Sequence, residues 1–139
     1  MTLLAVALGG ATGAVLRWWL GEAFPDGGGF PWTTFAINVS GSLVLGMLLV
    51  VGAVRRRPVL AAALGPGVLG GFTTLSAYAE QSRALLASGE LLTAAAYVVG
   101  TLTACLVAVG LASVLTSPET RVELWAGAGV DGVDGDGGE

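Results

Sequence analysis

The stretch GVLGGFTTLSAYAEQ, residues 67–81, lies inside a long apolar block, and its reading decides the fold. Two adjacent glycines, two adjacent threonines and a serine are poor material for a helix interior. Glycine costs about 1 kcal/mol relative to alanine there, and Ser and Thr side chains compete for backbone hydrogen bonds. At membrane depth, irregular backbone is tolerated only where protein or a polar cavity covers it. The stretch therefore predicts a helix broken at residues 70–74, exposing backbone groups of its two halves to a bound ion or a packed neighbour.

The surroundings place that break in a membrane. Of 139 residues, 54% are hydrophobic and only 12% charged, about half the charge of an ordinary soluble domain. Four apolar blocks, at residues 2–20, 32–54, 59–87 and 91–115, each approach or exceed the about 20 residues that carry a helix across about 30 Å of hydrocarbon. The expected fold is an all-α membrane protein of four transmembrane helices with a broken third helix. It fills a transmembrane domain at residues 1–117 and leaves an acidic tail at 118–139. The first block has no basic start and runs through Arg17-Trp18-Trp19 into a loop, so it reads as a span rather than a cleaved signal.

Composition also removes function classes. No nucleophile–base pair or metal-ligand cluster is visible, so an enzyme is not expected. There is no histidine, and Cys105 is the single cysteine, which argues against zinc, haem and a disulfide framework. The six cations are all arginine and form no basic face, so nucleic acid is not an expected partner. The net charge of −4 is local, because six of the ten acids follow Pro118. The terminal AGAGVDGVDGDGGE has nothing to bury and reads as disordered.

Short connections join the blocks. Pro58 suits the first turn of the third span, Gly89 can stop that span, and Glu90 favours the start of the fourth. Trp18, Trp19, Trp32 and Trp125 fall near span ends, as interfacial aromatics do. Arg55, Arg56, Arg57 and Arg121 share the side of both termini, against Arg17 and Arg83 at the opposite ends. The positive-inside rule then puts both termini of a multi-pass cell-membrane protein in the cytoplasm.

Several polar groups lie where lipid would be expected. Asn38 in the second span is either a helix–helix hydrogen-bond partner or a pore-lining N–H donor. Tyr97, Thr101 and Cys105 recur every fourth residue and form one stripe, for packing or for a polar track. Arg17 either snorkels to the interface or gathers anions at a vestibule, and Glu80 also stands near a span end. Gly9, Gly10 and Gly13 in span one, and Ser40, Gly41, Ser42 and Gly46 in span two, permit close helix approach, within one chain or between two.

Three stretches carry a resemblance. GGATGAVLRWWL (residues 9–20), FAINVSGSLVLG (35–46) and GVLGGFTTLSAY (67–78) are similar to signature stretches of the CrcB/Fluc fluoride channel family, in the same order. The resemblance implies an antiparallel, dual-topology dimer in lipid that lets fluoride leave the cytoplasm passively. It also implies a structural sodium ion at the dimer interface, held by backbone carbonyls that map onto Gly70 and Thr73. The fluoride path it implies runs along Asn38, Leu75, Ser76, Tyr78, Tyr97, Thr101 and Cys105, with Arg17 at the vestibule.

The chain departs from the family pattern at Leu75 and Tyr78, where two phenylalanines usually turn electropositive ring edges to the anion. Tyr78 keeps a ring, whereas Leu75 has no quadrupole. The arginine bias also sits awkwardly with a homodimer, whose copies must insert both ways. A pore-degenerate partner in a heterodimer with a homologous subunit is thus a second expectation. A small multidrug-type carrier, a third, would need an embedded acid in the first span, and TLLAVALGGATGAVLRWWL contains none.

Overall fold

The computed structural model describes residues 1–115, and these are helical apart from short connections. Helix α1 spans Thr2–Ala23, α2 Trp32–Leu48 and the short α3 Gly52–Arg55. The third apolar segment opens with α4, Pro58–Ala62, whose first position holds Pro58 as expected. It widens into a π-helical stretch at Ala63–Leu69, narrows to α5 at Gly70–Phe72, and resumes after a break as α6, Leu75–Ala87. Helix α7 covers Leu91–Val114. Gly89, with φ +82°, turns the chain between α6 and α7, the left-handed position that glycine fills without a Cβ penalty. The tail at 118–139, with Arg121 and Trp125, lies outside the described residues.

Among the described residues, three segments are long and apolar enough to cross a membrane: Thr2–Ala23, Pro58–Ala87 and Leu91–Ala112. Helix α2 is apolar but has only 17 residues, about 25 Å at 1.5 Å per residue. The expected block at 32–54 is therefore cut short. Val51 turns extended (ψ 102°) and a separate turn of helix follows. Two β-branched residues and a glycine, Val50-Val51-Gly52, are a weak run for helix continuation.

The break is narrower than residues 70–74. Gly70 is helical (φ −65°, ψ −32°), and only Thr73 (ψ 157°) and Thr74 (ψ 116°) are extended. The paired glycines serve packing instead. A Cβ on Gly71 would run into the Gly10 carbonyl, one on Gly13 into the Val68 carbonyl, and one on Gly9 into the Ala63 carbonyl. Helix α1 thus lies backbone to backbone along the wide stretch and α5. The widening coincides with Pro66, which has no N–H to give and crowds the preceding turn.

Helix α7 runs along α2 and also meets α6. Between these helices Leu85, Ala94 and Tyr97 form a small core, packed by Phe30, Phe35 and Tyr78. Elsewhere large apolar side chains such as Leu8, Val99 and Leu106 stand exposed. That suits a chain surrounded by lipid or by another chain.

Candidate functional site

The break is held by side chains. Thr74 Oγ1 caps α6 by accepting the Ala77 N–H at 3.1 Å. Asn38, 9% exposed on α2, clips the same residue on both sides of its backbone. Its Oδ1 accepts the Thr74 N–H at 2.8 Å, and its Nδ2 donates to the Thr74 carbonyl at 3.1 Å. An amide side chain is the group that can mimic a neighbouring strand in this way.

Two carbonyls lose their helical partners as a result. In a continuous helix the Gly70 carbonyl would receive the Thr74 N–H, which goes to Asn38. The Thr73 carbonyl would receive the Ala77 N–H, which goes to Thr74 Oγ1. Arg17, half-buried in the last third of α1, donates from Nε to the intervening Gly71 carbonyl at 3.2 Å.

A cleft of about 550 Å³ lies against the break. Asn38, Gly70, Thr73 and Thr74 line it beside Leu75, Tyr78, Thr101 and Cys105. Thr101 is 3% exposed, and its Oγ1 has no hydrogen-bond partner among the described residues. Leaving such a group buried and unpaired costs about 1–3 kcal/mol. Leu75 stands 78% exposed along the cleft, and Tyr78 presents its ring while its hydroxyl donates to the Val98 carbonyl at 2.9 Å.

The sequence-expected path is thus gathered in part. Asn38, Leu75, Tyr78, Thr101 and Cys105 share the cleft with Gly70 and Thr73. Ser76 is exposed beside it, its Oγ 3.2 Å from Thr74 Oγ1. Tyr97 is fully buried beyond the end of the cleft, with its ring 5.2 Å from that of Tyr78 and 5.3 Å from that of Phe30.

Sequence reasoning missed one polar cluster. Asp26, in the α1–α2 loop, accepts the N–H groups of Thr33 (2.7 Å) and Thr34 (3.3 Å) at the start of α2. Asp26 Oδ2 also accepts the Thr34 hydroxyl (3.1 Å) and Gln81 Nε2 (3.2 Å). Gln81 Oε1 in turn accepts the Tyr97 hydroxyl at 2.8 Å. Asp26 precedes α2 by several residues, too far for ordinary capping spacing, so only the folded loop reveals the contact.

Apolar helices, one of them broken beside a largely apolar cleft that carries the polar side chains of Asn38, Thr73, Thr74 and Thr101, define a polytopic α-helical membrane protein. Residues 4–113 match the family described as CrcB-like protein, Camphor Resistance (CrcB). The chain belongs to this family. It is 48% identical over 116 residues to fluoride-specific ion channel FluC 1 of Streptomyces coelicolor, covering 78% of this chain and 72% of that one. It is 44% identical over 112 residues to fluoride-specific ion channel FluC 2 of Nocardia farcinica, covering 78% and 80%. With fluoride-specific ion channel FluC of Paramagnetospirillum magneticum the identity is 38% over 120 residues, covering 82% and 94%.

Proposed function

We propose that this chain is a subunit of a fluoride-selective channel that lets the anion leave the cytoplasm passively across the cell membrane. The observation that carries the reading is the buried, unpartnered Thr101 hydroxyl at a cleft, in a chain whose relatives bear that name. A small hard anion accepts the proton that no protein group takes, and so offsets the cost of burying it. Hydrogen fluoride crosses lipid and dissociates inside, so a selective pore removes the anion without coupled energy.

One copy builds only one wall of the path. The cleft is edged by the exposed Leu75 and Leu102, and four transmembrane helices are few to enclose an ion route. A second, antiparallel subunit covers it. A sodium ion at that interface fits the Gly70 and Thr73 carbonyls, since both have given up their helical N–H partners. When bound it supplies a fixed positive charge that holds two negative carbonyl ends together. The excess of Arg55, Arg56, Arg57 and Arg121 favours cytoplasmic termini.

Leu75 and the arginine bias favour a second reading, a partner subunit that conducts only beside a homologue of opposite orientation. Reconstitution in liposomes with a fluoride electrode separates the two. Efflux from the chain alone supports a homodimeric channel. Efflux only with the second homologue makes it a partner subunit, and no efflux in either preparation overturns the proposal.

A further inference from the structure

We propose that the acidic segment at residues 118–139 docks on the exposed arginines Arg55, Arg56 and Arg57 and covers them against anionic lipid headgroups. The charges of this chain are sorted by end. Among the described residues the carboxylates are Glu22 in the last turn of α1, Asp26 in the loop after it, Glu80 in α6 and Glu90 at the α6–α7 turn. Each lies towards the end opposite the arginines. Two of them are already engaged, Asp26 by Thr33, Thr34 and Gln81 and Glu80 by Arg83. Every other acid of the chain falls in residues 118–139: Glu119, Glu123, Asp131, Asp134, Asp136 and Glu139, with Arg121 as the one cation among them.

The fold brings that segment out beside the arginines. Helices α2 and α7 run in parallel. Phe35 near the start of α2 and Tyr97 in the first half of α7 both pack on Phe30, and at the far ends Val109 and Ala112 lie against Gly46. Helix α7 therefore delivers Leu115 to the end where α2 passes into α3, about one helix spacing of 8–10 Å away. Arg55 closes α3, and Arg56 and Arg57 follow before Pro58. All three are exposed, and the Arg56 guanidinium bends back to 3.5 Å from the place a Cβ on Gly52 would take. Their positive charge is gathered on one turn of chain.

Single exposed ion pairs are weak and screened by salt. A tethered segment, however, meets its site at an effective concentration of about millimolar, so several weak pairs acting together hold it. Fully extended, residues 116–139 span up to about 80 Å, ample to bring every one of these acids to the arginines. Headgroups of an anionic leaflet suit the same arginines, but they carry no tether and compete with the segment for them. The segment thus acts as a built-in counterion that keeps the arginine end from gripping anionic lipid. This reading does not depend on fluoride conduction.

The test follows the motion of the segment in the full chain by electron spin resonance. A nitroxide is attached at Val133→Cys, with Cys105→Ser removing the native thiol, and the protein is placed in nanodiscs of zwitterionic lipid. In about 0.01 M salt, where the Debye length is about 30 Å, the label should tumble slowly. Replacing Arg55, Arg56 and Arg57 by Gln should speed it at least about twofold on the nanosecond scale of free chain ends, and about 1 M salt should do the same to the parent. Asp131→Asn with Asp134→Asn and Asp136→Asn, which leaves the described residues untouched, should also speed it, while Arg83→Gln at the opposite end should not. Slow tumbling should persist with about a third of phosphatidylglycerol in the disc. Equal mobility in the parent and the arginine variant overturns the docking, as does an aspartate variant as slow as the parent. A label slowed only when anionic lipid is left out makes headgroups the occupant and overturns it too.

Discussion

Removing the Asn38 side chain tests whether that amide holds the broken helix together. Asn38→Ala deletes both hydrogen bonds to Thr74, at 2.8 and 3.1 Å, and strands a backbone N–H and a carbonyl. Thr74 is 8% exposed, and each buried backbone group left unpaired costs about 1–3 kcal/mol, so the full loss is about 2–6 kcal/mol. The adjoining cleft admits water to part of that surface, which brings the expected loss to about 2–4 kcal/mol. Unfolding of the purified protein in mixed detergent micelles, followed by tryptophan fluorescence, reads the change. Asn38→Asp is the companion variant: it still accepts the Thr74 N–H but sets an oxygen against the Thr74 carbonyl where Nδ2 now donates. It should be at least as destabilised as Asn38→Ala while its carboxylate stays ionised. A change of under 0.5 kcal/mol for Asn38→Ala, where about 2 is the least expected, would refute the clip and return Asn38 to a purely ion-facing role.

Gly71→Ala should cost about 1–3 kcal/mol in the same unfolding assay, because its methyl meets the Gly10 carbonyl of α1 and backbone cannot step aside cheaply. Gly100→Ala, which meets nothing within 4 Å, is the control and should be neutral or slightly stabilising. Thr101→Val removes an unpaired buried hydroxyl, so it should leave stability unchanged or raised by about 1 kcal/mol while reducing fluoride efflux at least about tenfold. Leu75→Phe puts a ring at the exposed edge of the cleft; it should raise fluoride efflux several-fold, measured with the electrode at fixed protein-to-lipid ratio.

Apolar block length and Gly/Pro punctuation made the helical membrane architecture readable, because hydrocarbon thickness sets a length that composition alone can display. The early end of α2 was not readable: Val50 and Val51 are as apolar as the helix before them, and hydropathy carries no sign of the turn. The break in the third segment was legible as a region, but its parts were assigned together. The threonines make the break and cap α6, whereas the glycines beside them admit α1. Both roles disfavour an ordinary helix interior, so one signal stood for two causes. Of the candidate site, Asn38, Thr101 and Cys105 were legible as polar groups at apolar depth. The link from Asp26 to Gln81 joins residues 55 apart, and no local spacing encodes it.

The sequence displays more hydroxyls near the path than the folded chain can offer to an anion. Thr73 Oγ1 donates to the Leu69 carbonyl, Tyr78 to the Val98 carbonyl and Tyr97 to Gln81. Thr74 and Ser76 face one another, and Thr74 already accepts the Ala77 N–H. A residue type near a pathway is therefore no guide to donor strength until its proton is located. By that accounting the Thr101 hydroxyl is the strongest uncommitted donor of the α7 stripe, since the Cys105 S–H one turn further is weak. That hydroxyl and the one proton left over by the Thr74–Ser76 pair are few donors for an ion whose hydration must be replaced. The remaining contacts must come from the second N–H of Asn38 Nδ2, from the ring edge of Tyr78 and from the second subunit proposed above. Replacing Leu75 by a ring and deleting the Thr101 hydroxyl should therefore act on the same quantity with opposite sign.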